Sequence, residues 1–284
     1  MPGIVVGTWN KHLFSFIRLQ TLCMALLIIY EKAVSSVQVN VILLSGGRPF
    51  GDAPCKALAL LRGRPMISYV VDALRVSGVV NRILAVGPAT ELQAALNDDT
   101  IEYIEQGQSM MENLGLGLTR LPEDELAMTC SADVPLLTGE SVRDIYRAGE
   151  KSGAEFVYTI ISRQDIEAAY PGAKRTYVKL RDGQFTGGNL TMVTPRAFFK
   201  NRELTDALAS ARKNPLKLAR LLGMGTLLGA ATGFTSVARI VKRGEKIIRV
   251  PVLAYRSPFA CTGQDVDRPE DMAFTEQFLP EVTA

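Results

Sequence analysis
Residues 38–45 read QVNVILLS, a run without a charged residue that leads straight into a glycine pair, Gly46-Gly47. A strand this apolar must be covered on both faces, because it lacks the alternating polar positions that water would solvate. Helices provide that cover when a sheet is mostly parallel, so this stretch alone argues for an α/β chain over a one-sided antiparallel sheet. The glycines add a second constraint, since backbone without a Cβ can approach a ligand closely.

The body of the chain keeps the alternation. Strands are expected over 81–86, 100–104, 126–132 and 154–161, and helices over 66–76, 91–96, 110–121 and 139–152. Within 66–76 the apolar positions 66, 67, 70, 71 and 74 share one helical face. This pattern predicts a three-layer α/β/α arrangement around a mostly parallel sheet, whose ligands bind at the carboxyl ends of the strands. After 161 the pattern loosens. Residues 170–182 read as a loop into a short strand, and Gly187-Gly188-Asn189-Leu190 opens another strand. A basic helical cap is expected over 195–231, a helix and then a strand over 236–255, and a polar loop over 263–271 before a last helix ending at 278. With no repeat or linker visible, residues 37–284 are taken as one domain with a helical insertion at about 196–235.

Residues 1–36 read differently. The run 13–30 is apolar but short, and it carries Arg18, whereas a spanning helix needs about 20 apolar residues. It is taken as an accessory extension without stable membrane association. The small residues at Ala33-Val34-Ser35 keep a secretory signal open.

Composition excludes several chemistries. The 284 residues carry one histidine, His12, outside the body, so Ser-His-Asp, Cys-His and histidine-rich metal sites are ruled out there. The four cysteines are scattered without a C-x-x-C spacing, which suits reduced, buried thiols better than a zinc or redox site. A net charge of +3 gives no global field for nucleic acid, so a substrate with several phosphates would need local basic groups.

Those groups have candidate positions. Ser45, Gly46, Gly47 and Arg48 follow the first strand, where amides can donate to phosphate oxygens, and Lys56 lies nine residues past Gly47. The arrangement is neither a Walker A loop nor G-x-G-x-x-G. Gly107 lies just past the strand at 100–104 and joins the nucleotide-binding set. Asp133 follows the strand at 126–132, where it can hold Mg²⁺ or cap the next turn. Asp265 and Asp267 alternate along an extended stretch and so point the same way, able to share a cation. The same stretch also reads as a helix start, with Pro269 at the first helical position and Glu270 and Asp271 in the first turn. Gly188 and Asn189 can border a substrate or form a bulge, and Lys174 and Arg175 can bind an acceptor phosphate or face solvent.

The order of these features resembles the MobA-like nucleotidyltransferases: strand, Gly-Gly, Lys56, GRPMISYVVDAL, Asp133-x-Pro135, Gly187-Gly188-Asn189-Leu190, then DVDRPED. The resemblance covers about residues 38–194 and 262–278, and YPGAKRTYVKLRDGQFTGGNL is similar to a bacterial branch of that family. It implies the GT-A-type fold, an NTP and a small phosphorylated acceptor as partners, and a cytoplasmic location. Gly46 and Gly47 would contact the nucleotide, Lys56 the triphosphate, Asp133 and Asp267 with Asp265 the Mg²⁺, and Gly188 and Asn189 the acceptor. One departure stands out: members usually carry an arginine four residues after the glycine pair, and this chain has Gly51 there. Arg48, Lys174 or Arg175 would have to serve instead.

The expected chemistry is attack on the α-phosphorus of an NTP with release of pyrophosphate, driven by alignment and charge neutralisation. Two alternatives stay open. One is a glycosyltransferase of the same fold using a nucleotide-sugar, although its usual Asp-x-Asp is here Ser131-Ala132-Asp133. The other is a nucleotide-binding regulator without turnover. The oligomeric state is not fixed by the sequence, a homodimer being one option.

Overall fold
The computed structural model describes residues 38–204, 207 and 233–279. The extension expected over 1–36 and most of the cap expected over 195–231 lie outside these residues.

In chain order, β1 (Val39–Leu44) is followed by a hairpin of short strands, β2 (Leu60–Leu61) and β3 (Arg64–Pro65), and then by α1 (Met66–Val76). Next come β4 (Val80–Gly87), α2 (Ala89–Leu96), β5 (Ile101–Glu105), α3 (Met110–Leu118), β6 (Ala127–Ser131) and α4 (Gly139–Ser152). The second half adds β7 (Phe156–Ser162), α5 (Arg163–Ala169), β8 (Val178–Leu180), β9 (Gly183–Val193) and α6 (Pro195–Lys200). It ends with α7 (Val237–Ile248), β10 (Val252–Arg256) and α8 (Pro269–Glu276).

The main sheet has eight strands in the order β10-β7-β9-β6-β1-β4-β5, with β8 paired to β9. β1 sits centrally, parallel to both β4 and β6, and β5 and β10 extend the two sides in parallel with β4 and β7. β9 runs antiparallel between β6 and β7. The expected mostly parallel sheet is therefore present, with β9 as a reversed strand inserted between β6 and β7.

Period-two alternation sends β1 side chains to two different cores. Val41 and Leu43 join Met128 and Cys130 under α1 and α4, while Ile42 joins Leu84, Val86 and Leu118 under α3 and α6. Each fully buried large side chain contributes roughly 1.5–3 kcal/mol, so an uncharged β1 is what this position demands. Close approach of α3 depends on Gly117, where a Cβ would lie 2.7 Å from Ile42 Cγ2. A third cluster, including Leu61, Met66, Leu136, Cys261 and Val266, ties the β2–β3 hairpin to the segment after β10. That segment is thereby fixed at the carboxyl ends of the parallel strands.

Two elements differ from the sequence expectation. Residues 163–169 form a helix, capped by Ser162, whose hydroxyl accepts the Asp165 N–H. β9 starts at Gly183 rather than at 187, so the Gly-Gly-Asn run lies inside a strand. Pairing with β7 at Gly187 and with β6 from Leu190 onward holds the run extended from its two ends, a case of tertiary context overriding weak local preference. Among the described residues no helix is long and apolar enough to cross a membrane.

Candidate active site
The loop after β1 begins with Ser45, which is buried and fully occupied: its N–H donates to Val86 O at 2.8 Å and its hydroxyl to Leu43 O at 3.2 Å. Ser45 therefore terminates the strand and does not line the cleft that follows. Gly46, Gly47 and Arg48 do line it. A Cβ on Gly46 would lie 2.4 Å from Gln106 Oε1 and 2.7 Å from Asn113 Nδ2, so a side chain here would displace the two amides that brace the loop. Gly47 donates its N–H to the same Gln106 oxygen at 3.2 Å. Phe50 and Ala53 exchange hydrogen bonds at 3.1 Å across a tight turn in which Gly51 has φ +58°. An arginine at 51 would carry roughly 1–2 kcal/mol of left-handed strain, so this loop shape and an arginine at that position are mutually disfavoured.

Lys56 opens a short 3₁₀ turn whose Ala57 and Leu58 are buried, which aims its ammonium across the sheet end. It lies 2.6 Å from Asp133 Oδ2 and 2.9 Å from Asp267 Oδ1. Burial pulls its pKa down, but the two carboxylates outweigh that and hold it above the ordinary lysine value. Asp133 lies just past the end of β6 and also accepts a hydrogen bond from the Ser131 hydroxyl. Its backbone oxygen accepts the Val266 N–H at 2.9 Å, docking the chain after β10 alongside.

That docking explains the Asp265–Asp267 geometry. Val266 is fully buried in the third core cluster, so its two neighbours face the opposite way, as alternation requires. Asp133, Asp265 and Asp267 each present a carboxylate oxygen, all within 4.8 Å of one another. Asp265 is paired with Arg175. Burial pushes its carboxyl up against the pull of that guanidinium, with Asp133 and Asp267 adding to the upward shift. The hydrogen bond from Lys56 holds Asp267 below the usual carboxylate range despite burial. Asp271 serves as a cap: its Oδ2 accepts the N–H groups of Asp267 at 3.0 Å and Arg268 at 2.8 Å, with Pro269 at the first helical position of α8. The helix-start reading and the shared-cation geometry therefore hold together.

Three carboxylates opposed by Lys56 and Arg175 leave one negative charge uncompensated, and hard oxygen ligands this close suit Mg²⁺. The residues thus fit a divalent cation by donor chemistry and by the cations that already face them.

The cleft holds about 820 Å³. Lys56, Asp133, Gly188 and Asn189 line it together with the glycine loop, so residues far apart in sequence meet at one mouth. Asn189 is displaced there by a two-residue shift in pairing, since Tyr158 faces Thr191 but Ile160 faces Gly187. Its amide donates to Thr262 O at 3.3 Å. Gly107 is also in the lining, although its N–H is taken by Asn113 Oδ1 at 2.7 Å. Arg175 joins the carboxylate cluster, while Lys174 is exposed and does not line the cleft. The three described cysteines are free and buried.

The sequence reading missed Gln106 and Asn113, which brace the glycine loop and Gly107. Asn113 is buried inside α3, and a lone polar residue on an otherwise apolar helix face was the available signal. Ser109-x-x-Glu112 was a legible helix start: the Ser109 hydroxyl accepts the Glu112 N–H at 3.1 Å, which directs the amino end of α3 into the cleft.

A strand-end carboxylate cluster facing a glycine loop on a mostly parallel sheet is the frame of a nucleotidyltransferase fold. The chain belongs to the MobA-like NTP transferase domain family, whose model matches residues 41–223. A structure described as a hypothetical transferase from Thermus thermophilus is 33% identical, with a TM-score of 0.75 over 83% of this chain and 100% of that one. The bifunctional protein GlmU of Heliobacterium modesticaldum is 32% identical over 102 residues, 35% of this chain and 22% of that protein, so the match spans less than a quarter of that curated relative. The 4-diphosphocytidyl-2C-methyl-D-erythritol synthase of Anaerococcus prevotii shares the fold, with a TM-score of 0.56 at 13% identity over 85% of this chain and 98% of that one.

Proposed function
We propose that the protein is a magnesium-dependent nucleotidyltransferase of the cytoplasm. It moves an NMP unit from an NTP to a phosphorylated small molecule, a sugar phosphate or cofactor precursor, and releases pyrophosphate. The observation that carries this reading is the meeting of the glycine loop, Lys56 and the Asp133–Asp267 pair at one cleft mouth.

An oxygen of the acceptor phosphate attacks the α-phosphorus. A new P–O bond forms, the bond to the β-phosphate bridge breaks, and pyrophosphate departs with the electron pair. A phosphate is already ionised at neutral pH, so no histidine base is required, consistent with a body that has none. Gly46 meets the phosphates on its backbone amide, Gly47 does so on releasing its bond to Gln106 Oε1, and Arg48, exposed at the mouth, supplies the positive charge that Gly51 does not. Lys56 swings from its carboxylate partners to offset charge on the leaving pyrophosphate. Asp133 and Asp267, with Asp265, would hold Mg²⁺, which when bound would neutralise charge on the reacting phosphates. Gly188 and Asn189 form the acceptor side, with Arg175 held next to the carboxylate cluster by Asp265.

A thermal-shift screen of the four NTPs, with and without Mg²⁺, tests the reading. At least one NTP is expected to stabilise the protein only when Mg²⁺ is present. Absence of stabilisation by every NTP refutes it.

A further inference from the structure
The reactive groups occupy one end of the cleft, and the other end is chemically unlike it. Among the described residues, Arg48, Lys56 and Asp133 are the charged side chains in the lining, all at the mouth. The inner end is formed by Phe156, Val193, Ala197, Phe198, Ile248 and Val250. Sheet register measures the separation. Ser131 lines the mouth at the end of β6, whereas Val193 pairs with Ala127 at its start, so the two ends lie ~13 Å apart along the strand.

Three polar side chains along the way are already paired within the protein, and the Tyr158 hydroxyl is the other one facing the lining there. The Thr129 and Thr191 hydroxyls bond to each other at 2.6 Å, and the Asn201 amide donates to Ala197 O at 2.9 Å. A sugar or nucleobase pushed into this inner lobe would leave hydroxyl or ring polar groups without partners, each weakening binding by about tenfold. An aliphatic or aromatic body would not.

We propose that the acceptor is amphipathic: a phosphate head at the Lys56–Asp133 mouth and an apolar body in the inner lobe. The proposal rests on the nucleotidyl-transfer reading for the head group, and narrows its acceptors to apolar phosphate monoesters rather than sugar phosphates. The product would be a nucleoside diphosphate ester of an apolar alcohol. It forms by the same bond exchange, with pyrophosphate as the leaving group.

The test measures binding first and turnover second. A series of n-alkyl phosphates from methyl to octyl, kept below micelle-forming concentrations, is titrated calorimetrically into the full chain without NTP. Affinity is expected to rise up to about fourfold per added methylene until the lobe is full, the fold-change equivalent to ~0.8 kcal/mol. Ile248→Trp and Leu114→Trp, at partly exposed lining positions, are expected to weaken octyl phosphate at least tenfold. Their retained NTP-dependent thermal shift shows that they are folded. A flat wild-type series overturns the proposal without recourse to either variant, as does faster pyrophosphate release with a sugar phosphate than with octyl phosphate. A rising series with no pyrophosphate release from any NTP supports the apolar lobe and counts against the transfer reading instead, so the two failures are distinguishable.

Discussion

On the proposed function, Lys56 and a divalent cation would compete for the same carboxylate oxygens, and Lys56→Met separates their effects. In the free protein the substitution removes contacts of 2.6 Å to Asp133 and 2.9 Å to Asp267. Unit charges ~4 Å apart interact by about 4 kcal/mol at an effective dielectric constant of about 20. The Asp267 side chain is 63% exposed, so its arm is strongly screened, whereas Asp133 at 13% is not. After desolvation and side-chain ordering are set against the Asp133 arm, a net loss of about 2 kcal/mol is expected, between the surface and buried limits. Removing the ammonium also relieves its repulsion of Mg²⁺, so metal affinity should rise about tenfold, the equivalent of ~1.4 kcal/mol. Saturating Mg²⁺ should then recover most of the lost stability. Turnover moves the opposite way, falling about 10²-fold, because the departing pyrophosphate loses its counter-charge. Urea denaturation with and without Mg²⁺, calorimetric titration of Mg²⁺, and a pyrophosphate-release assay read the three effects. If Mg²⁺ binds the variant no more tightly than the wild type, the shared-oxygen reasoning is wrong.

Three further outcomes are expected. Asp133→Asn keeps the side-chain shape but removes the charge, and should lower pyrophosphate release by about 10²-fold or more while the urea-unfolded fraction at low denaturant stays small. Gly117→Ala places a methyl 2.7 Å from Ile42 Cγ2 in a closed core and should destabilise by about 1–3 kcal/mol; an unchanged denaturation midpoint would show that α3 yields freely. Asp98 is held below its usual pKa by the Thr100 hydroxyl and by Arg75, so the unfolded state binds more protons across that window. Its contribution is present above the unfolded carboxylate pKa and is lost as pH falls through the folded one. Asp98→Asn should therefore flatten the acid side of a stability–pH profile, and an identical slope would exclude the assignment.

How much of this was readable varies with the range of the interaction. β1 was legible because burial on both faces leaves an uncharged run, and the Asp265–Asp267 alternation because extended backbone has a fixed period. The α8 start at Pro269 was legible from local capping chemistry. β9 was not: GQFTGGN is polar and glycine-rich, and it is drawn into a strand by β8, which pairs with 183–185, and by β7, which pairs with 185–187. The Lys56 bridge was equally hidden, since it joins residues 211 positions apart and depends on Val266 being drawn into a core cluster. Sequence position marked Lys56, Asp133 and Asp267 as candidates, but their contact is a product of the sheet. Arg175 was read as an acceptor ligand, and its ion pair with Asp265 had no local sign.

The docking of Val266 against Asp133 also sets an order of events. The glycine loop, Lys56 and Asp133 belong to the first half of the chain, whereas Asp265 and Asp267 follow the last strand of the sheet. A growing polypeptide can pair β1, β4, β5 and β6 early, yet it cannot assemble the carboxylate cluster until residues beyond 260 have left the ribosome. Partly made chains lack the Asp133–Asp265–Asp267 cluster, and on the proposed function they would bind phosphate weakly. If the proposed function holds, metal-dependent nucleotide binding reports that the segment carrying Asp265 and Asp267 has docked, a label-free readout of that step.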